Sequence, residues 1–491
     1  MDGRTGEAVA ELQPPQRGPL FANRLKVYPK AVKGPFRRIK WAALIATLAV
    51  YYLTPWLRWD RGPGAPDQAV LIDMTAPRAF FFDIEIWPQE VYFITGLLVL
   101  AALSLFLVTS LLGRVWCGYT CPQTVWTDLF MLVERWIEGD RAARIRLDHQ
   151  PWSAGKAVRK LAKHVAWLAI AVATGGAWVF YFNDAPTLVW DIARGDVPFA
   201  VLFTVGLLTA TTYLLAGLAR EQVCTYMCPW PRFQSAMLDT QSLVVTYQGW
   251  RGEKRGPHKS GTSWEGRGDC VDCGQCIAAC PTGIDIRDGQ QLECIGCGLC
   301  IDSCNDIMTR VGRPANLITF DTLANQKAKA TGQSKAWHPI RPRTIIYGVV
   351  LAIVAGLMLY GLLNRTHIEV HVLRNRAPLF VTLSDGDIRN TYTLRILNKR
   401  REPQQLALSV RGPANAVLEV QDVGTAGPGE AVSLTLPADD VQAFQAFVRV
   451  PAGSLADSST SIDFVLQGGV HQDRTRTGSV FLGPKPAGAA R

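Results

Sequence analysis

Five stretches of the chain are almost wholly apolar, and each approaches or exceeds the ~20 residues that a helix needs to cross a hydrocarbon core. They run roughly over Trp41–Leu57, Val91–Leu112, Val165–Phe182, Phe199–Leu218 and Thr344–Leu363, and none contains a charged residue. The first is the shortest, and Pro55 leaves its end open. After the fifth stretch the pattern changes from continuous to alternating. From about His367 to Gly483, segments such as "HIEVHVL", "TYTLRIL", "AVSLTL" and "SIDFVLQ" alternate apolar and polar residues between turns rich in Gly, Pro, Asn and Asp. Seven or eight short strands at this spacing predict an immunoglobulin-like sandwich. Between the fourth and fifth stretches neither pattern is sustained, and most of the cysteines lie there.

Charge orients these elements. The chain carries a net +10, a balance that by itself is compatible with nucleic-acid binding. Its Lys and Arg, however, gather beside the apolar stretches, and no nucleic-acid motif accompanies them. Arg24, Lys26, Lys30, Lys33, Arg37, Arg38 and Lys40 precede the first stretch; Arg114, Arg135, Arg141, Arg144, Arg146, Lys156, Arg159, Lys160 and Lys163 follow the second. The segments 58–90 and 183–198 hold few basic residues. The positive-inside rule therefore predicts a multi-pass inner-membrane protein with a cytoplasmic N-terminus and an external, periplasmic C-terminal domain. Residues 1–40 contain no short apolar core with a cleavage site and are expected to stay as a cytoplasmic segment.

This orientation places all twelve cysteines on the reducing, cytoplasmic side, where metal and redox roles outweigh structural disulfides. "CVDCGQCIAACP" and "CIGCGLCIDSCN" both read Cys-x-x-Cys-x-x-Cys-x-x-x-Cys. That is the spacing of a two-cluster bacterial ferredoxin, in which the fourth cysteine of each run ligates the other cluster. Cys270, Cys273, Cys276 and Cys304 are thus expected to hold one 4Fe–4S cluster, and Cys294, Cys297, Cys300 and Cys280 the second. Structural zinc fits poorly, because it uses two cysteine pairs around one tetrahedral ion. Asn305 replaces a proline often found after the second run, without removing a ligand.

The remaining four cysteines form two copies of Cys-x-x-x-Cys-Pro, each just after an apolar stretch: Cys117 and Cys121, then Cys224 and Cys228. Cysteines four apart share a face if the segment is helical. Each following proline fits a turn or the first turn of a helix. Four thiols meeting beside a relay are expected to form a third cluster, a dithiol pair or a soft-metal site. Thiolates favour Cu(I), and Met227 adds a further soft ligand. The bland alternative is small residues filling a helix junction. Trp116, Tyr119, Trp126, Tyr226 and Trp230 fit an interfacial belt. His164 is the sole histidine near an apolar stretch, so a transmembrane haem pair is not expected; His367 and His371 read as exposed strand residues.

"YPKAVKGPFRRIKW", "IWPQEVYFITGLL", "GRVWCGYTCPQTVWTDLFMLVERWIEGDR", "EQVCTYMCPWPRFQSAMLD" and "CPTGIDIRDGQQLECIGCGLCIDSC" resemble the CcoG/FixG/RdxA family of cytochrome c oxidase accessory proteins, from about Lys26 onward. The resemblance implies a membrane polyferredoxin that reduces Cu(II) to Cu(I) during assembly of a cbb3-type cytochrome oxidase. Implied partners are the immature oxidase or its copper-delivery factors, a cytoplasmic electron donor and membrane lipid. On this reading Cys117, Cys121, Cys224 and Cys228 carry the chemistry, with copper as a possible further cofactor beside the two clusters. Two alternatives stay open: a redox-sensing assembly scaffold, and a quinone-linked ferredoxin. The fold expected is a multi-domain α+β membrane protein. It comprises an N-terminal segment (1–40), four helices of a five-helix transmembrane bundle with both Cys-x-x-x-Cys-Pro motifs (41–230), a ferredoxin-like insert (231–343), the fifth helix (344–363) and an immunoglobulin-like sandwich (364–491).

Overall fold

The computed structural model describes residues 26–484, apart from 63, 260, 262, 335–336, 456 and 470–472. The rest of the expected N-terminal segment, Arg24 included, lies outside the described residues. The chain forms two compact units, Met1–Met358 and Leu359–Arg491.

In the first unit, helices run in the order α1 (Pro35–Leu53), α2 (Val91–Leu112), α3 (Val115–Tyr119), α4 (Pro122–Glu138), α5 (Arg141–His149), α6 (Ala154–Val179), α7 (Ala185–Arg194), α8 (Phe199–Thr212) and α9 (Trp230–Met237). Among the described residues, three helical stretches are long and apolar enough to cross a membrane: Pro88–Leu112, Phe199–Ala219 and Pro342–Leu363. The two other expected spans are also helical, but each shares its helix with a basic first half. Arg37, Arg38 and Lys40 open α1, and Lys156, Arg159, Lys160 and Lys163 open α6. Segment 58–90 contains an antiparallel three-stranded meander, Val70–Asp73, Arg78–Phe81 and Ile84–Ile86, which the hydropathy pattern did not reveal. It is tied to the end of α6 by Ile72 N–H donating to the Tyr181 carbonyl at 2.8 Å.

The ferredoxin-like insert packs on an antiparallel pair, Leu243–Tyr247 with Ile318–Thr322. Helices Gln275–Ala279 and Leu299–Arg310 each begin directly after a glycine in the left-handed region, Gly274 at φ 62° and Gly298 at φ 71°. Both glycines sit between the second and third cysteine of a run, where the chain must reverse tightly, and a side chain there would be strained.

The insert also completes α1. Gly34 has no side chain to cap that helix. Instead the Asp302 carboxylate, from the middle of the second cysteine run, accepts from Phe36 N–H at 3.3 Å and Arg37 N–H at 2.8 Å. These are free donors of the first turn, satisfied by a carboxylate at the positive end of the helix dipole. A Cβ at Gly34 would stand 2.3 Å from the Asp302 Cγ, so only glycine permits the approach. Asp302→Ala is expected to cost about 1–2 kcal/mol, typical of a lost helix cap. It would register as a lower melting temperature in detergent, with Asp302→Asn recovering part of the loss.

The second unit is a β-sandwich. One sheet places Gly424–Ala426, Val417–Val420, Asp440–Val450, Ile388–Asn398 and Ile368–Arg374 side by side, with Val381–Thr382 also paired to Ile388–Asn398. The other orders Ala431–Leu436, Gln404–Arg411, Ser459–Gly468 and Asp473–Leu482. Alternate residues such as Tyr392, Leu394, Ile396, Leu408, Leu434, Val448 and Phe464 form a fully buried core, as period-two patterning requires.

Candidate functional site

All twelve cysteines carry free thiols. The two Cys-x-x-x-Cys-Pro motifs do not form continuous α-helices, contrary to the shared-helical-face argument. Cys117 lies in α3, whereas Cys121 is extended (φ −57°, ψ 128°) and caps α4, whose first residue is Pro122. Cys224 lies in a π-helical turn, Val223–Met227, and Cys228 is again extended (φ −78°, ψ 121°) before Pro229. The cause is local: proline disfavours the helical region for the residue before it. Each motif therefore straddles a helix break, and the break, rather than a helical stripe, brings its two cysteines together.

Cys117, Cys121, Cys224 and Cys228 line one cavity of about 280 Å³, whose other walls include Arg114, Trp116, Trp230, Leu292 and Ile295. Several polar side chains hold it in place. Cys117 Sγ donates to Oε1 of the fully buried Gln234 at 3.1 Å, and Thr124 Oγ1 donates to the Cys117 carbonyl at 2.6 Å. Arg114 joins three segments. Its guanidinium donates to the carbonyls of Leu292, Cys294 (3.2 Å) and Pro231 (2.7 Å), linking the first motif, the second cysteine run and the helix after the second motif.

The cavity lies directly against the second cysteine run. Ile295, Cys297 and Leu299 form a small core with Cys117 and Cys224 packed on it. Tyr119, expected in an interfacial belt, is instead buried and donates to the Cys297 carbonyl at 3.0 Å. Trp126 likewise faces inward and donates to Thr174 Oγ1 at 2.9 Å. Trp116 and Tyr226 are exposed. His164 bonds the Tyr213 hydroxyl at 2.8 Å.

The eight cysteines of the insert meet from both runs. Cys276 and Cys280 of the first run line one cleft with Cys294, Cys297 and Cys300 of the second, and Cys304 of the second run lies among thiols of the first, Cys276, Cys270 and Cys273. Burial, with neighbouring thiols, pushes Cys117, Cys224, Cys294 and Cys304 up to about 12. Cys276 rises to about 11, for burial above all. Without metal these groups are protonated at neutral pH, so binding a metal centre must displace their protons. Sulfur-only donor sets in sheltered, apolar clefts suit iron–sulfur clusters. When bound, such clusters supply single-electron transfer.

Two cations oppose burial at the four-thiol cavity. Arg114 acts on Cys117. Lys40, 2% exposed, acts on both Cys224 and Cys297. Lys40 and Arg37 also surround the buried Asp128; burial raises that carboxyl, but the two cations win and hold it below its ordinary range. Sequence reading counted Arg37, Lys40 and Arg114 only as orientation charges. Their roles depend on partners about 90 or more residues away, and no local spacing marks them.

Comparison with known proteins agrees with this geometry. A family model described as a 4Fe-4S dicluster domain matches residues 219–323, and one described as a 4Fe-4S binding domain matches 94–139. A third, an IG-like fold at the C-terminus of FixG, matches 358–484. The fold and the cysteine sets thus define an iron–sulfur membrane protein with an immunoglobulin-like C-terminal unit. The chain is 49% identical to the nitrogen fixation protein FixG of Rhizobium meliloti, over 96% of this chain and 95% of that one. It is also 49% identical to protein RdxB of Cereibacter sphaeroides, over 92% and 94% of the two chains. It belongs to the FixG/RdxA family. A solved FixG-related protein from Vibrio parahaemolyticus aligns with 24% of this chain and 95% of its own, at 20% identity and a TM-score of 0.20.

Proposed function

We propose that this protein carries single electrons at the cytoplasmic face of the bacterial inner membrane and delivers them to Cu(II). Cys270, Cys273, Cys276 and Cys304 are the ligands of one 4Fe–4S cluster, and Cys294, Cys297, Cys300 and Cys280 those of the other. Five helices span the membrane, all twelve cysteines face the cytoplasm, and the sandwich lies outside. Cys117, Cys121, Cys224 and Cys228 form the exit site. There Cu(II), as substrate, takes one electron and leaves as Cu(I), for assembly of a cbb3-type cytochrome oxidase through the immature enzyme or its copper-delivery factors. A cytoplasmic donor supplies the electron.

The observation that carries this reading is the four-thiol cavity packed directly against the second cysteine run. Soft thiolates favour Cu(I) over Cu(II), so the cavity walls stabilise the product oxidation state. Arg114 holds the exit site to the run through the Cys294 carbonyl, Tyr119 fixes the Cys297 backbone, and the apolar lining limits water.

Anaerobically purified protein supplied with a reductant is expected to form Cu(I), detected by a Cu(I)-specific chelator. Replacing all four exit cysteines by Ala, with the other eight kept, should abolish the reaction. An unchanged rate would reject the exit site. Undiminished oxidase assembly in cells carrying Cys294→Ser would favour a scaffold instead.

A further inference from the structure

The walls of the exit cavity are not uniform. Beside four thiols and apolar side chains, four polar residues line it: Arg114, Gln123, Thr124 and Glu293. Three are engaged with backbone carbonyls. The Arg114 guanidinium holds those of Leu292, Cys294 and Pro231; Gln123 Nε2 donates to the Leu215 carbonyl at 2.8 Å; Thr124 Oγ1 donates to the Cys117 carbonyl at 2.6 Å. Glu293 differs. It is the sole carboxylate among the lining residues, it is half-buried, and among the described residues its oxygens take part in no hydrogen bond or ion pair.

Its place gives that carboxylate a use. Glu293 immediately precedes Cys294, the first cysteine of the second run, and follows Leu292, which is 50% exposed. Leu292 and Arg114 also line a second cavity of about 370 Å³, whose wall carries Ser235, Asp239, Thr240, Gln290 and Gln291. Those hydroxyl, carboxylate and amide groups suit a hydrated cation, whereas the exit cavity is mainly apolar carbon and sulfur. Glu293 thus stands where a polar approach meets a thiol chamber. Oxidation state decides which of the two copper prefers: thiolates select Cu(I), and oxygen and nitrogen donors suit Cu(II). Four thiols alone hold the product and give no preference to the ion that arrives. A carboxylate on the same wall supplies that preference.

We propose that Glu293 is the arrival ligand of the exit site, binding Cu(II) through its carboxylate before reduction and giving copper up afterwards. One electron passes to copper from the reduced relay. The copper–carboxylate bond breaks, copper–sulfur bonds form, and each thiol that binds releases its proton. The carboxylate is left ready for the next ion. The inference rests on the copper reading of the exit site and adds to it a residue that distinguishes substrate from product.

The test uses full-length, anaerobically purified protein in detergent, supplied with a reductant and with Cu(II) buffered by glycine. Glu293→Gln is expected to raise KM for Cu(II) by about tenfold or more and to leave kcat within about twofold, the pattern for a ligand that binds the ion before the chemical step. Glu293→Asp, which keeps a carboxylate, should recover much of that loss. The affinity of the exit thiols for Cu(I), measured by competition with a Cu(I) chelator, should be unchanged in Glu293→Gln, as should iron content. An unaltered KM would overturn the assignment. A parallel loss of Cu(I) affinity would overturn it too, because the side chain would then only shape the cavity. The copper reading fails by a different result: if all four exit cysteines can be replaced by Ala without loss of rate, the exit site and its arrival ligand fall together.

Discussion

Asp128→Ala is expected to lower the stability of the first unit by about 3–5 kcal/mol, the range for breaking a buried ion pair. The Asp128 side chain is 1% exposed and that of Arg37 7%. Arg37 Nη1 donates to both carboxylate oxygens, at 2.9 and 2.8 Å, and its guanidinium lies over the Trp41 ring at 4.3 Å. Among the described residues Lys40 Nζ lacks a hydrogen-bond partner, and its ammonium is the strongest charge acting on Asp128. Removing the carboxylate strands two buried cations. The loss should appear as a fall in melting temperature followed by circular dichroism in detergent. Replacing both partners, as Arg37→Met with Asp128→Leu, is expected to cost less than the single change, because only Lys40 and not Arg37 is then left without its carboxylate. Equal losses in the single and double variants would show that the pair matters only through packing.

Gly118→Ala is expected to separate the exit site from the second cysteine run. A Cβ at this position would stand 2.9 Å from the Ile295 carbonyl oxygen and 3.0 and 3.1 Å from the Cα and N of Cys297. These are backbone atoms of the second cysteine run, and they cannot rotate away. Overpacking of this kind costs about 1–3 kcal/mol. Where it displaces reacting groups by about an ångström, it slows a reaction up to about 100-fold. Cu(II) reduction should therefore fall far more than iron content does. Gly155→Ala provides the control: it lies in the first turn of α6, where an added Cβ meets nothing within 4 Å. Substitution there should be neutral or slightly stabilising. A Gly118→Ala protein with an unaltered rate would mean that the close approach of α3 to Cys297 serves packing alone.

What the sequence made legible follows from the range over which each signal acts. The two cysteine runs are local, and cluster chemistry fixes their spacing, so an iron–sulfur dicluster domain could be read before any coordinates. The sandwich was visible because every strand carries its own period-two record of the core. The exit site was half visible. Its four cysteines stood out by repetition, but the condition for a shared helical face, a continuous helix through each motif, is not met. The prolines set the geometry, pushing Cys121 and Cys228 out of the helix. The signal was already present in the two Cys-Pro steps. Arg37, Lys40 and Arg114 were least legible. A cation beside an apolar stretch looks the same whether it faces the aqueous side or turns inward to a carboxylate 91 residues away, as Arg37 does. Span counting met a similar limit: α1 and α6 mix a basic half with an apolar half, so composition describes neither half well.

The capping of α1 by Asp302 bears on the order in which the protein can be made. The donors belong to residues 36 and 37, and the acceptor is synthesised some 265 residues later. The first helix can form early, but its N-terminal turn is finished only after residue 302 has left the ribosome and the second cysteine run has folded against it. Maturation of the metal centres and completion of the earliest helix are therefore one event, and a chain starved of iron during synthesis should present an unfinished first helix to the cell's quality-control proteases.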